Sequence, residues 1–265
     1  VDAPMLATQR RDTIAARLTA DGRVLVAEIA RELGITAETV RRDLDALEEA
    51  GVARRVHGGA VAAGRSSLVE TALAERESAN TASKRRIARL AAERLLASGA
   101  TSLLLDAGTS TAALAAELVA SWPRSGGPRL VVATHSPAIA QQLAQHPTIE
   151  VHAIGGRIRS VTGAAVGAQT VLAIAALRPD VVVLGANGLD ATGATTPDPD
   201  EAAVKTAIVA AGRRVAVLAD ASKLGAASLC RFAALEQLDV LLTDAEPEPS
   251  LAAALEDAGC EVHVA

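Results

Sequence analysis

The 265-residue chain contains no tyrosine, one phenylalanine (Phe232) and one tryptophan (Trp122). A core built on aromatic stacking is therefore excluded. Half of the residues are hydrophobic, so the core must be packed by Ala, Val, Leu and Ile. The two cysteines, Cys230 and Cys260, stand far apart. Two thiols lack the paired spacing of a zinc site and cannot make a disulfide scaffold for a chain of this length; the expectation is reduced, buried thiols. His57, His146, His152 and His263 form no cluster in sequence, so no metal is expected. No apolar run approaches the roughly 18 residues a membrane helix needs, and the stretch "VDAPMLATQRRD" lacks the apolar segment of a signal peptide. The expectation is a soluble, cytoplasmic protein without a membrane partner.

The net charge is −5, which argues against a non-specific nucleic-acid coat. What matters for DNA, however, is where charge is placed. Within residues 1–60, nine arginines stand against ten acids. A DNA-binding surface there requires the two signs to be segregated onto different faces.

The pattern of the first sixty residues supplies that segregation. Residues 8–19 read as a helix with Ile14 and Leu18 at helical spacing, and "DGRVLV" as a turn with a short alternation. "VAEIARELG" reads as a brief helix closed by Gly34. Thr36 is a suitable N-cap for a third helix, "AETVRRDLDALEEA", which stops at Gly51. "VARRVHGGAVAA" then reads as a hairpin around Gly58-Gly59. This is the order of a winged helix-turn-helix. On the third helix Val40, Leu44 and Leu47 share one side, while Glu38, Arg41, Arg42 and Asp45 take the other, with Thr39 on the flank. Asp43 falls near the packed edge, where it is placed to orient an arginine. In a helix-turn-helix the second helix of the pair enters the major groove. Thr36, Thr39, Arg41 and Arg42 are then the groove residues, and Arg54, Arg55 and His57 the wing. The competing reading is a solvated helix face. Arginine suits the groove because it can pair bidentately with guanine or with phosphate.

Residues 61–78 are polar and mixed and read as a linker. From residue 79 onward, short Val/Leu/Ile strands alternate with helical segments, the pattern of a parallel sheet covered on both faces. "PRSGGP" and "PDPD" (197–200) read as loops. The expected organisation is a DNA-binding domain at 1–60, a linker at 61–78 and an α/β domain for effector sensing and oligomerisation at 79–265.

In the larger half, "SLLLDAGTSTAALAAEL" is a strand, a loop of small residues and a helix. Backbone N–H groups at Gly108, Thr109, Ser110 and Thr111, plus the hydroxyls, suit an anion such as phosphate. No Walker or dinucleotide fingerprint is present, and a plain helix cap is the competing reading. Further polar clusters end the other strands: Thr134-His135-Ser136, Gly155-Gly156, "GANGLD" with Asn187 and Asp190, and Asp220 to Lys223. Ligands of open parallel sheets bind beyond the carboxyl ends of the strands. Glu201 and Lys205 are four apart on a helix, spaced either for an ion pair or for Lys205 to meet a ligand.

"RRDTIAARL" (10–18), "TAETVRRDL" (36–44) and "GVARRVHGGA" (51–60) resemble the N-terminal signature of the DeoR family of bacterial transcription regulators. The segment from about Lys84 onward resembles that family's effector domain, similar in fold to ribose-5-phosphate isomerase. "DAGTST" resembles its phosphate loop, and "EAAVK" and "DASK" its later motifs. The resemblance implies Asp106, Thr109, Ser110, Thr111, Lys205 and Lys223 as the principal contacts, with Gly108, Thr134, His135, Gly155, Gly156, Asn187, Glu201 and Asp220 around them. It also implies a homo-oligomer, dimer or tetramer, that represses carbohydrate genes, binds operator DNA without a cofactor, and is released by a phosphorylated sugar. One departure is His135, where the family usually has asparagine; it is expected either to meet the effector or to cap the following helix. An active isomerase is disfavoured, because Asn187 stands where such enzymes carry an acid and cannot serve as a base.

Overall fold

The computed structural model describes residues 7–21, 23–56, 58–62, 76 and 78–265. Two compact units divide the chain, residues 1–67 and 68–265. Most of the expected 61–78 linker lies outside the described residues.

The first unit carries α1 (Ala7–Asp21), β1 (Arg23–Leu25), α2 (Val26–Glu32), α3 (Ala37–Glu49), β2 (Ala53–Val56) and β3 (Gly59–Ala62). The three strands form an antiparallel sheet in the order β1-β3-β2. The start of α3 and the ends of α2 and α3 follow from their residues. Thr36 caps α3, its Oγ1 accepting from Thr39 N at 3.2 Å. Gly34 and Gly51 stand just beyond the ends of α2 and α3 with φ of +64° and +71°, the left-handed region where glycine carries no side-chain penalty. Ile14, Leu18, Val24, Ile29, Val40, Leu44 and Leu47 make an aliphatic core.

The second unit is built on a seven-stranded, all-parallel sheet: β4 (Ser102–Leu105), β5 (Leu130–Thr134), β6 (Ile149–Ala153), β9 (Val181–Gly185), β12 (Arg214–Leu218), β14 (Val240–Thr243) and β15 (Glu261–Val264). Their order is β15-β14-β12-β9-β4-β5-β6. Neighbouring residues on one strand feed opposite cores. Leu103 and Leu105 join Ile87, Leu114, Leu118, Ile139 and Leu143, from α4 (Thr81–Ser98), α5 (Thr109–Ser121) and α6 (Pro137–Leu143). Leu104 joins Ile174, Val204, Ile208 and Leu251, from α7 (Ala168–Ala175), α8 (Pro199–Ala211) and α9 (Pro249–Asp257). Burial on both faces is why the central strands lack polar alternation, while the edge strands β6 and β15 keep it with Glu150, His152, Glu261 and His263.

Two features escaped the sequence reading. β10 (Gly188–Asp190), β11 (Gly193–Thr196) and β13 (Cys230–Ala233) form a separate antiparallel sheet, and β7 (Arg157–Ile158) pairs with β8 (Ala165–Val166). These strands are short, and several mix polar and small residues, so no period marks them. One expectation is corrected. The "PDPD" stretch is not all loop: Asp198 caps α8 by accepting from Glu201 N at 2.9 Å, and Pro199-Asp200 open the helix. Proline suits the first helical position because its missing N–H would have no intrahelical partner.

Candidate functional site

In the first unit, α3 divides as its sequence requires. Val40, Asp43, Leu44 and Leu47 are buried, while Glu38, Arg41, Arg42 and Asp45 are exposed. Arg41 pairs with Glu38 at 3.1 Å. Among the described residues, no carboxylate pairs with Arg42. Thr36 and Thr39 share a hydrogen bond between their hydroxyls at 2.9 Å. Asp43 does orient arginines, and these come from α1. Arg10 approaches it bidentately, Nε at 2.6 Å and Nη2 at 3.0 Å, and Arg11 Nε lies at 3.3 Å. This joins α1 to α3 from beneath the exposed face. Arg54 and Arg55 stand in β2; His57 lies outside the described residues.

In the second unit, the sheet order reverses direction at β4. The chain proceeds outward from it through β5 and β6 and returns on its other side at β9. The crevice beyond β4 and β9 is such a switch point, where open α/β sheets hold ligands. Asp106 follows β4 directly and is 1% exposed. Its Oδ2 accepts from Lys205 Nζ and, at 3.1 Å, from Gly185 N. Lys205, projecting from α8, also donates to Gly185 O at 2.8 Å and lies 5.2 Å from the Phe232 ring centroid. Burial pushes the Asp106 carboxyl up, but Lys205 and His135 together outweigh it and hold the group at about 2. An ammonium has three donors, and these two contacts engage two of them.

The i,i+4 pairing of Glu201 with Lys205 does not form. Glu201 accepts from Arg159 at 3.3 Å, beside an Arg159–Asp198 pair at 3.1 Å. Both carboxylates are buried, so burial does not decide the choice: Glu201 is engaged by Arg159, and Lys205 turns into the crevice toward Asp106. His135 is not the cap of α6 either. Ser136 takes that role, accepting from Ile139 N at 3.3 Å. His135 is 2% exposed. Its Nδ1 lies 2.8 Å from Ala165 O, and its Nε2 lies 3.0 Å from Ala107 N and 3.1 Å from Asp106 Oδ1. Nδ1 donates to the carbonyl, and Nε2 stands between Ala107 N and the Asp106 carboxylate. The ring thus braces the loop from behind.

The loop after β4 is held open by its own side chains. Thr111 is fully buried, and its hydroxyl lies 2.8 Å from Asp106 O and 3.0 Å from Gly108 O. This hydroxyl staples the loop to the first turn of α5. Thr109 and Ser110 remain half-exposed at the first turn of α5, where backbone N–H groups have no intrahelical acceptor. Thr134, also buried, accepts from Ser136 N at 3.1 Å. Gly155 O accepts from Thr170 Oγ1 at 2.9 Å, and a Cβ on Gly156 would fall 2.0 Å from the same oxygen; glycine is required by this close approach of α7. Asn187 Oδ1 accepts from Thr196 at 3.1 Å. Asp190 accepts from Thr192 N at 2.8 Å and from its hydroxyl at 2.6 Å, which commits it to the β10–β11 turn. Asp220, buried, caps the 3-10 turn Ala221–Lys223, and Lys223 is half-buried.

Asn80 was missed by the sequence reading. Its Nδ2 donates to Asp220 Oδ1 at 2.9 Å and to Ser222 Oγ at 3.2 Å. An isolated asparagine 140 positions away gives no sequence signal for such a contact. A cavity of about 340 Å³ lies elsewhere, between the end of α4 and β9, β12, β14 and β15. Leu95, Ala216 and Leu242 wall it, and Arg94–His263 and Arg214–Glu261 contacts occupy the polar groups among its lining residues. None of the predicted contacts lines it.

The comparisons agree with this division. The DeoR-like helix-turn-helix domain matches residues 10–65, and the DeoR C terminal sensor domain matches residues 79–245. The "HTH-type transcriptional regulator GlpR" of Haloferax volcanii is 36% identical over 97% of this chain and 98% of its own length. The "Glycerol-3-phosphate regulon repressor" of Escherichia coli is 32% identical over 96% of this chain and 97% of its own. A D-ribose-5-phosphate isomerase in complex with phospho-erythronic acid overlaps 52% of this chain and 53% of its own at 17% identity, with a TM-score of 0.37, too distant to bear on the chemistry. These relatives, matched over nearly their whole length, carry the names of transcriptional regulators, and the chain belongs to the DeoR family of transcriptional regulators.

Proposed function

We propose that this protein represses genes of carbohydrate metabolism and is released from operator DNA by a phosphorylated sugar. The observation that carries the reading is the Asp106–Lys205–Gly185 constellation at the β4/β9 switch point, beside the half-exposed first turn of α5. The first unit, in which the strand β3 carries the sheet through Ala62 and so past the expected boundary at residue 60, is the DNA-binding domain, and residues 79–265 are the effector and oligomerisation domain.

In this reading Arg41, Arg42 and Thr39 face the major groove, with Thr36 holding the start of α3. Arg54, Arg55 and His57 serve as the wing. Phosphate is received by the backbone N–H groups and hydroxyls of Thr109 and Ser110. The remaining donor of Lys205, with Asn187 and Lys223, meets the sugar. Asp106 fixes Lys205, and His135, Thr111, Thr134, Gly155, Gly156, Glu201 and Asp220 shape the loops. Paired copies, as a dimer or tetramer, place α3 on symmetric half-sites. The effector acts only through its different affinity for the bound and released states.

The test is fluorescence anisotropy on the DNA upstream of the protein's own gene, in a salt series, with a panel of sugar phosphates and their parent sugars. The expected result is saturable, salt-sensitive binding reversed by one phosphorylated sugar and not by its parent. Equal reversal by both would refute the phosphate assignment.

A further inference from the structure

Arg76 lies outside every contact assigned above. Its Nε and Nη2 are buried and find no hydrogen-bond partner among the described residues. These two nitrogens form one edge of the guanidinium, the fork that grips two oxygens of an oxyanion at once. A guanidinium cannot shed its proton in a protein. A buried, unpaired edge therefore costs stability until an acceptor arrives.

The carbonyl of Arg76 is anchored to α4. Lys84, 7% exposed, donates through Nζ to Arg76 O and, at 2.6 Å, to Ala79 O. Asn80 is the one non-glycine residue with positive φ among those described, at 52°. That conformation is costly for a side-chain-bearing residue and persists where the surroundings over-determine it. Here the over-determination comes from the Asn80 contacts to Asp220 and Ser222. Close by, Asp244 accepts from Ala221 N at 2.8 Å and pairs with Arg86 of α4 at 3.0 Å. The start of α4 is thus tied to the carboxyl ends of β12 and β14, at the turn that carries Lys223.

We propose that Arg76 is an anion-binding residue of the sensor unit, taking two oxygens of a phosphate group on Nε and Nη2, with Lys84 holding its carbonyl. The inference rests on the reading of this unit as a receptor for phosphorylated ligands, and adds a contact from the segment that precedes α4.

The experiment is thermal unfolding of the full chain in increasing inorganic phosphate, against sodium chloride at matched ionic strength and against acetate. Wild type is compared with Arg76→Gln and Arg76→Lys. The expected result is a saturable phosphate-dependent rise in midpoint for wild type. Arg76→Gln should match or exceed wild type without phosphate, since it removes a buried guanidinium edge that lacks an acceptor, and should lose the phosphate response. Arg76→Lys keeps the charge but not the fork, and its response should shift to about tenfold higher phosphate or more. A lower midpoint for Arg76→Gln with the phosphate response intact would make Arg76 a structural residue and overturn the proposal. So would a wild-type response no larger than that to chloride, or one greater to acetate. The same variants in the anisotropy assay separate this inference from the function proposed above. Full release of Arg76→Gln by a sugar phosphate would sink the Arg76 contact alone. A phosphate response lost in Arg76→Gln, with no sugar phosphate releasing the wild type, would sink the effector alone.

Discussion

Lys205 reaches from α8 to Asp106 at the end of β4, and both side chains are removed from water. The pair joins two elements a hundred residues apart at the point where the sheet reverses its order. Its energetics are dominated by what happens when one partner is lost.

Asp106→Asn leaves the Lys205 charge buried without a counter-ion, and the expected loss at neutral pH is about 3–5 kcal/mol. The wild-type carboxyl is lowered from 3.8 to about 2. A depressed folded-state value means stability that is present above the unfolded value and lost as pH falls through the folded one. The contribution is about 2 kcal/mol. The gap between wild type and Asp106→Asn should therefore narrow by that amount between about pH 4 and about pH 2. Urea titrations across this window check it; a constant gap would remove Asp106 from the acid transition.

Arg42 is exposed, and among the described residues no carboxylate competes for it. Arg42→Ala should weaken operator binding by about 1–3 kcal/mol if it reads a base while leaving the unfolding midpoint unchanged. Unchanged operator affinity would mean that α3 is placed wrongly in the groove. Anisotropy and thermal unfolding on the same preparation decide it.

Thr36→Ala removes the cap of α3. The expected loss is about 0.5–2 kcal/mol of stability in the first unit, and Thr36→Ser should restore most of it. If serine fails to rescue, the hydroxyl contact to Thr39 N is not what holds the helix start.

Asp43→Asn weakens the only acceptor that Arg10 and Arg11 share in these contacts. The expected result is a lower midpoint for the first unit and reduced operator affinity, even though Asp43 is buried and faces no DNA. Retention of both would show that the hydrophobic core alone sets the angle between α1 and α3.

Gly156→Ala places a methyl 2.0 Å from Thr170 Oγ1 and 3.0 Å from Val166 O. Overpacking of this kind costs about 1–3 kcal/mol. Thr170→Ala in the same chain should recover part of the loss by removing the nearer atom. Calorimetry on the single and double variants tests this, and no recovery would place the strain at the Val166 carbonyl.

The sequence by itself determined the elements whose residues pattern locally. Val40, Leu44 and Leu47 at helical spacing, closed by Thr36 and Gly51, specify α3 and its exposed arginines, because caps and periodicity act within a few residues. Continuous apolar runs such as "SLLL" and "VVVL" specify strands buried on both faces. The carboxyl-end clusters at Asp106, Thr134, Gly155, Gly185 and Asp220 were legible for the same reason: each lies at the end of its strand or within two residues of it. Tertiary structure alone decided which polar groups meet. Lys205 passes over Glu201, one turn away and equally buried, for Asp106, because Arg159 already engages Glu201. Ser136 rather than His135 caps α6, because the imidazole is drawn beneath the loop to Ala107 and Ala165. Asn80 finds Asp220, and Arg76 is left with an open fork, through approaches that no spacing encodes. Short-range geometry is written in consecutive residues; the pairing of buried charge is settled only when distant strands bring their ends together.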